Sequence, residues 1–280
     1  MEKMKKKSMI LTGLISVLVT ILILSFRTKN PKYDIFKYQI IDTWNLPRQL
    51  KNTTGISKID KERIACITKN EGSIFIYNIK TKSIENKIDF GHSTNYTDLE
   101  IIENTAYILK KEGILIQLKN YKNKPEINEY QLFNDTIRNA SGFTYDAKTN
   151  RLIIAVKNDK FQHKGRKGVY AFSLTTKQID FNTEYEIELK SELFSERKNE
   201  EVAYRFLPNA ISKDADGNLH ILDTKHHEVL KVSANNKKPT LYKMSRHDFP
   251  HPETISSLEN GNFLILDTAE KPKIIELKLN

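Results

Sequence analysis

Arg246-His247-Asp248 and His251-Pro252-Glu253 bring two imidazoles and two carboxylates within eight positions. Imidazole and carboxylate together suit zinc or iron. Pro250 and Pro252 give the competing and plainer reading, a loop whose path the two rings fix. His220, Asp223, His226 and His227 repeat the same ligand types. Asp223 recurs as Asp267, 44 residues on and in matching local sequence, so both acids read as turn-formers that hydrogen-bond their own loops. Cys66 sits among Ile64, Ala65 and Ile67 and reads as an inert buried thiol. One cysteine excludes an intrachain disulfide framework and a cysteine-built zinc site. Residues 157–167 carry Lys157, Lys160, Lys164, Arg166, Lys167 and His163 around Phe161. Such a stretch is a solvated loop tip or a dock for anionic lipid or polysaccharide. No Gly-x-Ser-x-Gly elbow, His-Glu-x-x-His helix, Walker loop or dinucleotide fingerprint occurs.

The elements that must position these residues repeat. Gly217-Asn218-Leu219-His220-Ile221-Leu222-Asp223-Thr224 returns 44 residues later as Gly261-Asn262-Phe263-Leu264-Ile265-Leu266-Asp267-Thr268. Fainter copies open near residues 55, 99 and 142, ahead of 210 and 254. The segments are short, β-branched or aromatic, and bounded by Gly, Asn, Asp and Lys. Four short antiparallel strands every 40–45 residues mark propeller blades. The expected fold is an all-β, five-bladed β-propeller. Six blades is the alternative, if the extra 24 residues around 183–205 make a degenerate blade. Within that insertion, 192–201 looks like a short helix. Residues 34–42 are expected to pair with the C-terminal strand at 273–279 and so remove an exposed edge. Trp44, Leu46 and Pro47 then lead into the first blade.

The formal charge is +10, but residues 1–29 hold six basic residues and one acid. Half the excess therefore lies in about a tenth of the chain, which argues against a nucleic-acid partner. Residues 9–26 are 18 uncharged residues, long enough to span a bilayer. They end in Leu24-Ser25-Phe26-Arg27, without a small-x-small cleavage site. With Lys3 to Lys7 in front, the segment reads as an uncleaved signal anchor with its basic end in the cytoplasm. The expected organisation is a basic tail and anchor over 1–29 and a propeller over 30–280. The protein would be single-pass in the inner (cytoplasmic) membrane, with the propeller on the extracytoplasmic side.

Trp44-Asn45-Leu46-Pro47, Thr54-Gly55-Ile56-Ser57, Ile64-Ala65-Cys66-Ile67 and Gly72-Ser73-Ile74-Phe75-Ile76-Tyr77 resemble the opening of the SdiA-regulated propeller family. Asn95-Tyr96, Thr105-Ala106-Tyr107-Ile108-Leu109 and Phe249-Pro250-His251-Pro252-Glu253-Thr254-Ile255 extend the resemblance. Asp223-Thr224-Lys225-His226-His227-Glu228-Val229 is similar to the turn of the more distant NHL repeats. The resemblance implies a membrane-anchored extracytoplasmic five-bladed propeller with a calcium site at the blade openings. This chain has Asn52, Thr97 and Ser141 where the family tends to carry glutamates, and Lys69 and Asn70 where it tends to carry an acidic pair. Glu253 survives and Asp98 adjoins a lost acid, so these two are the candidate metal ligands. Calcium wants six to eight oxygens, several of them carboxylate, so the loss of acids weakens that site.

Residues at equivalent places in successive blades converge on one mouth of the central channel, here Asn52, Thr97, Ser141, Asn209 and Glu253. The expected role is a ligand- or partner-binding module in the cell envelope, more than an enzyme. The alternative is a metal-dependent hydrolase of phytase-like or lactonase-like type, which would need several inward carboxylates at the blade openings.

Overall fold

Strand Arg63–Thr68 carries the logic of the architecture. Ile64, Ala65, Cys66 and Ile67 are all buried. Alternate side chains nevertheless go to different places, because successive residues of a strand point to opposite faces. Ile64 and Cys66 pack with Trp44, Leu264 and Ile274. Ala65 and Ile67 pack with Tyr96, Leu99 and Ile116. A sheet covered on both faces reads as a continuous apolar run, and the covers here are the neighbouring sheets.

The computed structural model describes residues 34–35, 37–92, 94–133, 138–158, 164–235 and 238–279. Two strands, β1 (Asp34–Ile35) and β2 (Tyr38–Asn45), precede the first blade. Blade 1 is β3 (Thr53–Lys58), β4 (Arg63–Thr68), β5 (Gly72–Asn78) and β6 (Ser83–Gly91). Blade 2 is β7 (Tyr96–Ile102), β8 (Thr105–Lys110), β9 (Ile114–Lys119) and β10 (Glu126–Gln131). Blade 3 is β11 (Arg138–Asp146), β12 (Arg151–Asn158), β13 (Arg166–Ser173) and β14 (Ile179–Glu188). Blade 4 is β15 (Ala210–Lys213), β16 (Leu219–Asp223), β17 (Glu228–Val232) and β18 (Pro239–Lys243). Blade 5 is β19 (Pro252–Ser257), β20 (Asn262–Asp267) and β21 (Lys273–Leu279), completed by β2. The protein is an all-β, five-bladed propeller.

The core is divided among the blade interfaces. One apolar cluster fills each of the five gaps between neighbouring blades. The gap between blades 3 and 4 is filled in part by the insertion. It begins later than expected, since residues 179–188 are still strand, and the short helix expected there is a 3-10 helix, Glu192–Arg197, followed by another, Val202–Tyr204; there is no sixth blade among the described residues. Phe194 and Phe206 drop from it into that gap, their rings 5.5 Å apart.

Closure uses the N-terminal strand, but not over the expected residues. Tyr38 lies opposite Leu279 and Asn45 opposite Lys273, so the closing strand includes Trp44. Asp34 and Ile35 instead pair in parallel with Tyr242 and Lys243 on blade 4. Trp44 explains the offset, because its side chain is needed in the cluster between blades 5 and 1. No helix of the described residues is long and apolar enough to cross a membrane, and the proposed anchor at 9–26 lies outside them.

Candidate functional site

The innermost strands β3, β7, β11, β15 and β19 all begin at one end of the channel. In four of them the register with the next strand slips by one residue at that end, at Thr53/Gly55, Tyr96/Asp98, Ala140/Gly142 and Pro252/Thr254. A bulge re-aims the extra side chain. The extra residues are Thr54, Thr97, Ser141 and Glu253, and Asn209 holds the corresponding place before β15. Thr97, Ser141, Asn209 and Glu253 are thus equivalent, as the repeat spacing requires. Asn52 is not their equivalent; it is exposed two residues earlier, its carbonyl accepting from the Lys69 N–H at 2.9 Å.

These residues link blade to blade. Thr54 Oγ1 donates to the Tyr96 carbonyl at 3.0 Å, Ser141 Oγ to that of Pro208 at 2.7 Å and Asn209 Nδ2 to that of Glu253 at 2.7 Å. Thr254 Oγ1 returns the ring to the carbonyl of Thr54 at 3.0 Å. Between blades 2 and 3 the link is Asp98, which accepts the N–H of Phe143 at 2.9 Å and that of Leu99 at 2.9 Å. Space for the Asp98 carboxylate exists because its neighbour is Gly142; a Cβ there would meet Asp98 Oδ2 at 3.2 Å and the Ala210 Cα at 2.8 Å.

Below the ring the inner strands are tied to one another. An inner strand would otherwise expose unpaired backbone N–H groups. Ser57 Oγ accepts that of Ile101 at 2.9 Å and Ser212 Oγ that of Ser257 at 2.7 Å. Glu100 occupies the same level on blade 2. With Asp98, Thr144, Ser212 and Thr254 it lines a cavity of about 10 Å³, the room of about one water. Burial pushes the Asp98 carboxyl up to about 8, outweighing its two N–H bonds, and Glu253 adds to the shift. Burial, then the neighbouring Asp98, pushes Glu100 to about 8 as well. Burial therefore favours the protonated form of both acids.

Above the ring the character reverses. Lys69, Lys111 and Lys157 each stand one residue beyond the register pairs Thr53–Thr68, Tyr96–Lys110 and Ala140–Val156. They occupy one place on three successive blades, and Thr224 and Thr268 hold it on blades 4 and 5. Lys157 is half-buried and its Nζ donates to Asn209 Oδ1. Burial lowers its pKa; Glu253 and Asp223 oppose that, while Lys111 and Lys69 add to it by repulsion. Lys69 drew notice in the sequence only as a departure from an acidic pattern. Its recurrence as Lys111 and Lys157 becomes visible once bulges are counted.

The mouth does not offer a calcium donor set. Both Asp98 oxygens are engaged and its carboxyl holds a proton, while Glu253 shares its surroundings with Lys157. Among the described residues no three His, Cys, Asp or Glu side chains gather as a metal would require. In the 246–253 stretch, His247 is 96% exposed, Asp248 accepts from the Tyr38 hydroxyl and His251 is exposed. Asp223 and Asp267 do hold their own turns, accepting the N–H of His226 at 3.0 Å and of Ala269 at 3.2 Å. His220 meets Asp214 at 2.8 Å inside blade 4, and His227 meets the Pro250 carbonyl at 2.9 Å. The Cys66 thiol is pushed up to about 12 by burial and is inert. Residues 157–167 are not simply a solvated tip. Lys167 is wholly buried, donating to the Phe206 carbonyl at 2.9 Å, and Arg166 pairs with Glu186 at 2.7 Å; residues 159–163 lie outside the described residues.

No family model and no curated protein matches the chain. Among solved structures it is similar to the glutaminyl cyclase of Myxococcus xanthus, at 12% identity over 88% of this chain and 99% of that one, with a TM-score of 0.60. It is also similar to the PQQ-bound aldose sugar dehydrogenase of Streptomyces coelicolor, at 8% identity over 87% of this chain and 98% of that one, with a TM-score of 0.53. The likeness is one of fold. A cyclase and a dehydrogenase share it, so the propeller itself selects no reaction.

Proposed function

We propose that the chain is a membrane-anchored, extracytoplasmic propeller of the SdiA-regulated type that binds a ligand or partner at the channel mouth. The observation that carries this reading is the ring of side-chain links that ties the blades together at the mouth. The cavity beside Asp98 and Glu100 has room for about one water, so a larger ligand would sit above it, in the mouth. The mouth is also rigid, because the side chains around it tie blade to blade. Rigid scaffolds that present loops at one rim are suited to recognition. The hydrolase alternative gains nothing from Asp98 and Glu100, whose protons and burial leave them poorly placed to act on a substrate in the mouth.

Hydrogen exchange of the full chain, purified and in the membrane fraction of its own cells, tests the reading. Protection is expected at the mouth turns 69–71, 111–113 and 268–272. Protection confined to the opposite turns, 59–62, 103–104 and 258–261, or none at either end, would sink it.

A further inference from the structure

We propose that the mouth binds a phosphate monoester through Lys69, Lys111 and Lys157. This rests on the binding reading above and names its ligand class. Three lysines stand at one place on consecutive blades, and two of them, Lys69 and Lys111, share a backbone contact with the next blade. The Lys69 carbonyl accepts from Asn95 at 2.8 Å and the Lys111 carbonyl from Ala140 at 3.1 Å, so each lysine is fixed against the next blade. Neither the Lys69 nor the Lys111 ammonium has a hydrogen-bond or ion-pair partner among the described residues. Nearby acids are engaged elsewhere. Glu71 pairs with Lys87 at 2.5 Å, Glu112 accepts from Asn95 at 2.8 Å and Asp223 holds its own turn. Asp98 is buried beneath the ring and its carboxyl is raised by burial, so the carboxylates that act on Lys157 are Glu253 and Asp223.

Burial is the main cause of the lowered pKa of Lys157, and Lys111 and Lys69 add repulsion against the attraction of Glu253 and Asp223. An anion relieves that repulsion. Three point charges at equivalent places on neighbouring blades favour a compact, doubly charged oxyanion over a single carboxylate, because each pair contributes separately. The cavity beside Asp98 and Glu100 holds about one water, so the phosphate would sit above it among the lysines, with its ester group projecting outward.

The test uses the full chain in detergent, titrated with glycerol 3-phosphate and with inorganic phosphate, ionic strength being fixed with chloride. A ligand that binds only the folded state raises the melting temperature saturably. K69M/K111M is expected to weaken the glycerol 3-phosphate response at least about tenfold, as the loss of two unit charges at close range implies. E253Q is expected to strengthen it. An equal response in parent and K69M/K111M, or one that chloride reproduces, overturns the assignment. A free ester and a lipid headgroup share this chemistry. Vesicles carrying phosphatidate separate them: variant-sensitive protection of turns 69–71 and 111–113 by vesicles, without a response to glycerol 3-phosphate, places the ester on a lipid. Protection of the mouth by the cells' own membranes with no response to any phosphate probe overturns the phosphate class alone. Loss of both overturns the binding reading as well.

Discussion

Asp98 of blade 2 accepts the backbone N–H of Phe143 of blade 3 at 2.9 Å, so that a carboxylate closes the free edge of the neighbouring sheet. At the other blade junctions a threonine, serine or asparagine donates to a backbone carbonyl instead. The chain has therefore placed an acid where a neutral group suffices, two residues from Glu100 and beneath Glu253.

This placement makes stability depend on pH. In the unfolded chain Asp98 and Glu100 ionise at about pH 4. In the fold both are raised to about 8. Between those values the folded state holds more protons on these two groups, so the stability they contribute is fully present below about pH 4 and is lost as pH rises toward 8. The loss is at most about 1.4 kcal/mol per pH unit for each group. Glu100→Gln is expected to flatten the decline measured by urea unfolding between pH 5 and pH 8. A variant that keeps the parent's full slope would show that Glu100 is ionised in the fold.

Gly142→Ala is expected to destabilise by about 1–3 kcal/mol, as overpacking does. The added methyl would meet the Ala210 backbone at 2.8 Å and crowd Asp98 Oδ2 at 3.2 Å. An unchanged melting temperature would mean that blades 3 and 4 can part at no cost.

Closure is expected to reside in β2 rather than in β1. Removing residues 38–45 would strip blade 5 of its outer strand and take Trp44 from its cluster. The Trp44→Ala variant alone is expected to lose about 3–5 kcal/mol. Replacing Asp34 and Ile35 by glycine should matter far less, since only two residue pairs are at stake. The reverse ranking in urea melts would assign closure to blade 4.

Calcium and a chelator are expected to leave the melting temperature unchanged, because the mouth presents lysines and protonated acid. A calcium-dependent rise that E253Q abolishes would restore the metal site that the family resemblance implies.

The anchor is tested by membrane fractionation. Residues 9–26 are expected to hold the protein in membranes after alkaline carbonate washing, with Lys3 to Lys7 retained. N-terminal sequencing of the mature protein that begins near Thr28 would replace the anchor with a cleaved signal.

The amino-acid sequence by itself determined the period and the propeller class, and it left five blades against six to the structure. The period is written locally, plainest in the strand, Gly-Asn turn and second strand that return after 44 residues. The sequence also determined that Asp223 and Asp267 hold turns and that Cys66 is buried, since both follow from immediate neighbours. Tertiary structure alone decided the composition of the mouth. A bulge adds one residue without changing the apolar pattern, so counting from the strands misplaced the blade 1 position at Asn52 instead of Thr54. The closing strand shifted for a similar reason, because Trp44 is drawn into a gap between blades that lie at opposite ends of the chain. Lys69, Lys111 and Lys157 are separated by more than 40 residues at each step. Only the packing of one twisted sheet on the next turns those three separate strand ends into neighbours with a common field.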